Sequence, residues 1–167
     1  MTLHILCCLL FSAWAIALAV GDCRSRRVPN RLVLFGLGAA LGAALLHAGP
    51  ARIDVSQSLR ACVVGCAMLM PFFLLGVMGA GDVKAFAVLG AWCGLPSLFG
   101  VWIAANIAAG VHAVALLIVW RKRNIGPRLH GMQFVSAGGM RSTPYAACLA
   151  VSSLIWVICQ FWWGGAR

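Results

Sequence analysis

Three carboxylates make up the whole acidic complement of this 167-residue chain: Asp22, Asp54 and Asp82. Two of them share a setting. The tetrapeptides "GDCR" (21–24) and "GDVK" (81–84) each put glycine before the aspartate and a base two residues after it. Two carboxylates that share a site cannot both ionise easily, so one keeps a proton while the other draws a proton from a shared water. Such a pair can drive that water onto a peptide carbonyl. This is aspartyl protease chemistry, and it asks for two acids and no metal.

Other chemistries lack parts. No G-x-S-x-G frames a serine. The four histidines, His4, His47, His112 and His130, are dispersed without metal-ligand spacing, and the eight cysteines contain no C-x-x-C. No metal and no cofactor is therefore expected. Asn106 and His112 fall inside an apolar run, where an interhelical hydrogen bond is the expected role. A structural reading competes for the acids themselves: Asp82 can cap a helix beginning at Val83, and Asp22 can be a solvated residue at a membrane interface.

The elements that must position this pair follow from composition. Of all residues 63% are hydrophobic, 10% are charged, and the mean hydropathy is +0.97. That balance excludes an ordinary soluble domain and predicts a polytopic membrane protein. Residues 2–21, 32–51, 61–81 and 142–166 carry no Asp, Glu, Lys or Arg, and each can cross a bilayer core that needs about 20 helical residues. The uncharged run 85–120 is interrupted by "CGLPS" at 93–97 and predicts one short and one full span. The expected fold is all-α with six transmembrane helices in a single integral domain over 1–167. Residues 1–22 lack a basic leader segment and are read as a retained first span.

Ten of the thirteen basic residues fall in the odd-numbered connections: Arg24, Arg26, Arg27, Arg31, Lys84, Arg121, Lys122, Arg123, Arg128 and Arg141. The positive-inside rule then puts both termini on the outer side and these loops in the cytoplasm, where they can also meet anionic membrane lipid. The basic loops match no nucleic-acid recognition module. On this map Asp22 and Asp82 end spans one and three at the same cytoplasmic boundary, while Asp54 lies in an external loop. An acid at a helix C-terminus faces an unfavourable dipole, so both positions ask for a reason.

With these residues placed, the chain resembles the prepilin peptidases. "GAGDVK" (79–84) is similar to their G-x-G-D-x-K motif, "DCRSRRVPNRL" (22–32) to their first-aspartate segment, and "STPYAA" (142–147) to the Pro-Tyr stretch that opens their last helix. The resemblance implies that Asp22 and Asp82 are the catalytic aspartates, supported by Gly79, Gly81, Lys84, Pro29 and Asn30. It implies cleavage of the leader of a type IV pilin-like precursor at the cytoplasmic face of the bacterial inner membrane.

The chain lacks the cytoplasmic C-x-x-C insertion of the larger members. It therefore looks like the small Flp/Tad-type peptidase, with no ground to expect N-methylation. Archaeal preflagellin peptidases share the aspartate pair. Arg24, Arg26 and Arg27 are candidates to attract a substrate glutamate. Pro29 with Asn30, and Thr143 with Pro144, also read as ordinary helix starts. A non-catalytic membrane assembly subunit and a small transporter are the alternatives, and the sequence sets no oligomeric state.

Overall fold

A computed structural model describes residues 1–25, 28–123 and 145–164, and every regular element among them is a helix. In chain order these are α1 (Thr2–Ser25), α2 (Asn30–Leu45), α3 (Val55–Leu74), α4 (Ala80–Arg123) and α5 (Tyr145–Gly164). Three stretches are long and apolar enough to cross a membrane: Thr2–Ser25, Val55–Leu74 and Ala80–Val119. The helices Asn30–Leu45 and Tyr145–Gln160 are apolar but shorter. Five helices thus stand where six spans were expected, because α4 runs through the predicted interruption.

The interruption is nevertheless visible. Gly94 sits inside α4 at φ 72, ψ 167, a conformation that side chains with a Cβ rarely adopt, and Pro96 follows two residues later. The chain turns back at this point. Before it, α4 runs antiparallel to α3: Ser58 Oγ donates to the Ala91 carbonyl at 2.8 Å, and the backbones meet closely at Ala61 and Gly90. After it, Leu98 lies against Gly65, and Trp102 and Asn106 flank the hydroxyl of Tyr145. Asp82 and Asn106 are therefore both found beside the first turn of α5.

Small residues let helices approach where lipid offers no hydrophobic drive between them, and polar bonds then fix their register. Trp14 Nε1 donates to the Leu32 carbonyl at 2.9 Å and joins α1 to α2. Phe11 packs edge-on to Trp92, with ring centroids 5.3 Å apart, and joins α1 to α4. Around these rings Leu18, Leu69, Leu89 and Leu149 are fully buried.

The turn from α3 into α4 corrects one expectation. α3 ends at Leu74 in a Schellman motif: Gly76 N–H bonds the Phe73 carbonyl, Val77 N–H bonds the Phe72 carbonyl, and Gly76 takes φ +71. The next helix begins at Ala80. Asp82 is therefore not the end of a descending helix but a first-turn residue of α4, where the helix dipole favours a negative charge. Asp54 caps α3, accepting the Gln57 N–H at 2.6 Å.

Candidate functional site

Asp22 belongs to the last turns of α1 and is buried, with 7% of its surface exposed. Its Oδ2 accepts the backbone N–H of Ala147 at 3.0 Å, across 125 positions of sequence. Asp82 is half-buried, and its carboxyl lies close to the backbone N–H of the preceding residue in α5, Ala146. The first N–H groups of a helix have no partner within it and carry its positive dipole end. The first turn of α5 thus bonds one carboxylate and borders the other. It brings the two acids near enough for the Asp22 charge to act on Asp82.

The rest of the G-x-G-D-x-K stretch builds the frame. Asp82 N–H donates to the Gly79 carbonyl at 3.1 Å, and the Asp82 carboxyl lies beside the Gly79 backbone. The first of these closes a single tight turn at the start of α4. A Cβ at Gly79 would lie 3.3 Å from Asp82 Oδ2. A Cβ at Gly81 would come within 3.2 Å of Val28, so the bare glycine lets the segment between α1 and α2 rest on the first turn of α4.

Pro29 precedes α2 as its cap residue, and Asn30 opens the helix. Lys84 Nζ donates to Asn30 Oδ1 at 3.0 Å, so the two sequence segments that carry the aspartates are tied directly. Lys84 and Arg24 are exposed. Arg26, Arg27, Thr143 and Pro144 lie outside the described residues.

The backbone groups of α5 were not among the predicted site residues. Backbone N–H groups carry no residue type, and only the helix start signalled by "STPYAA" points to them. Asn106 differs from its expected role: its side chain donates to the Trp102 carbonyl of its own helix at 2.7 Å. The Tyr145 hydroxyl is buried beside it without a hydrogen bond of good geometry. Asp54, at the opposite end of the bundle, takes no part.

Chemically, the site offers two neighbouring carboxyl groups, one buried and one half-buried, where the ends of α1, α4 and α5 meet. Such a group can activate a water and return a proton without a cofactor. Comparison with known proteins gives the class. No curated protein and no solved structure matches the chain. A model of the type IV leader peptidase family matches residues 9–114, a segment that contains both aspartates and the whole frame between them. With the match spanning most of its length, the chain belongs to the type IV leader peptidase family.

Proposed function

We propose that this chain is a membrane-embedded aspartyl endopeptidase that removes the leader from Flp-type, pilin-like precursors, using Asp22 and Asp82 at the cytoplasmic face of the inner membrane. Family membership supplies the prepilin-type peptidase activity and the membrane setting. One observation carries the rest: the first turn of α5 bonds Asp22 through the Ala147 N–H and lies beside Asp82, so two of the three acids within the family match meet at one helix end.

In this reading one carboxylate takes a proton from a water between the pair, and the resulting hydroxide attacks the scissile carbonyl. The other carboxyl group protonates the carbonyl oxygen as the tetrahedral intermediate forms. Collapse of that intermediate breaks the C–N bond, with the proton returned to the leaving amine. The α5 N-terminus keeps both acids in register and offsets their mutual repulsion. Lys84 and Asn30 hold the frame, and Arg24 with Arg26 and Arg27 forms the cationic side that meets a glutamate near the start of the mature substrate. In the same reading the turn at Gly94 divides α4 into two spans, for six crossings with both termini outside and the basic connections inside.

Co-expression with a pilin-like precursor tests this by product mass. Cleavage by the wild type, lost in Asp22→Asn and in Asp82→Asn but kept in Asp54→Asn, is the expected result. Cleavage retained by all three variants would point to a non-catalytic assembly subunit or transporter instead. An added mass of about 14 Da on the product, one methyl group, would show that the chain also methylates.

A further inference from the structure

Opposite the aspartates, the bundle contains a cavity of about 610 Å³ that the peptidase reading leaves unused. Four elements converge on it: the start of α1 with His4, Ile5 and Cys8, the α2–α3 connection with Pro50 to Ile53, the turn of α4 with Cys93, Pro96 and Ser97, and the end of α5 with Val157 and Gln160. Cys8 and Asp22 are separated by about 20 Å of helix, so the cavity and the acid pair do not overlap. Its volume falls in the range of about 300–1,000 Å³ typical of small-molecule sites.

The wall is built and rigid. His4 Nδ1–H donates to the Ala48 carbonyl at 3.1 Å, Ala48 N–H bonds the Ala43 carbonyl at 3.0 Å, and Arg52 N–H bonds the Gly49 carbonyl at 3.1 Å. Ala48, Gly49 and Pro50 are buried. The same connection holds the only two non-glycine residues with positive φ among those described, His47 at 48° and Arg52 at 50°. Such backbone persists where the surroundings over-determine it.

The α4 break adds a second argument. The turn at Gly94 brings Cys93, Pro96 and Ser97 to the cavity from both sides of the break.

Its chemistry is that of an anion with an apolar tail. Arg52 is the side chain of fixed charge among the described lining residues, and none of them is acidic. Asp54, the nearest carboxylate in sequence, is committed to Gln57 N–H and Ser56 Oγ–H. Ser97 and Gln160 offer further polar atoms, while Ile5, Ile53, Pro96 and Val157 supply apolar wall.

We propose that this cavity binds an anionic membrane phospholipid, its phosphate paired with Arg52 and the upper part of one acyl chain laid along the apolar wall. The site is distinct from the acid pair and does not depend on which reaction that pair performs. Native mass spectrometry of the full chain, stripped of lipid in a neutral detergent, tests it with phosphatidylglycerol, phosphatidylcholine and glycerol 3-phosphate. Phosphatidylglycerol is expected to be retained over phosphatidylcholine by about fivefold, one basic side chain's share of the attraction to an anionic lipid.

Arg52→Asn, which removes the charge while keeping a residue that accepts positive φ, is expected to bring the two lipids to parity. Ser97→Trp, which fills the cavity, is expected to lose retention of both. Arg60→Gln is the control, since Arg60 is bonded to Ser56 away from the cavity, and is expected to bind as the wild type does. Equal retention of the two lipids by the wild type, an equal effect of Arg60→Gln, or displacement by glycerol 3-phosphate at equal concentration would each overturn the proposal. The last result would mean that the site reads free phosphate.

Discussion

Asp22 Oδ2 and the backbone N–H of Ala147 lie 3.0 Å apart, and this bond ties the last turns of α1 to the first turn of α5. It can be tested without touching either acid. Proline is tolerated in the first turn of a helix and removes one N–H donor. Ala147→Pro is therefore expected to fold while losing the Asp22 bond. A hydrogen bond to a charged group contributes about 1.5–3 kcal/mol, so precursor cleavage should slow by roughly ten- to a hundredfold. Cleavage at the wild-type rate by a variant with unchanged thermal unfolding would remove α5 from the mechanism.

The bond from Lys84 to Asn30 predicts a coupled pair. Lys84→Ala and Asn30→Ala should each slow cleavage by about threefold, within the net range of one exposed hydrogen bond. The double variant should be no slower than either single one, because both remove the same contact. Additive losses in the cycle would mean that the two residues act separately.

Gly81 faces Val28 with no space for a methyl group without adjustment. Gly81→Ala should cost about 1–3 kcal/mol of stability by overpacking, with cleavage reduced through displacement of the α4 first turn. Val28→Ala in the same chain should restore both. A Gly81→Ala variant that Val28→Ala fails to improve would show that the glycine acts elsewhere, for instance against substrate.

Asp54 gives a pH prediction that leaves catalysis alone. The Gln57 N–H holds its carboxyl below the usual carboxylate range, assisted by Ser56, Arg60 and His47, against a smaller opposing effect of burial. A carboxyl whose folded value is depressed stabilises the fold above its unfolded value, and that contribution disappears as pH falls through the folded one. Thermal unfolding of Asp54→Ala should thus lie below that of the wild type at neutral pH, and the two should converge under acid. A constant gap across the titration would assign the loss to packing. Cleavage at neutral pH should stay unchanged.

The acids were legible because charge is so scarce in this chain: a carboxylate bordering an apolar run stands out by its cost. The direction of the helix holding Asp82 was not. Counting uncharged residues joined 61–81 into one span and passed over Gly76, whose positive φ ends α3 before the aspartate is reached. The break at "CGLPS" was legible from Gly94 and Pro96, since both residue types have strong backbone preferences. What remained hidden was chemistry carried by the main chain. Ala146 and Ala147 look inert as letters, and their backbone meets the two acids only through the packing of α5 against α1 and α4.

That packing gives the two acids a common mechanical fate. Both lean on the first turn of one rigid rod, so a slip of α5 by about an ångström along its axis would stretch the Asp22 bond past hydrogen-bonding range and carry the same turn away from Asp82. The end of a single helix is the latch that the two carboxyl groups share.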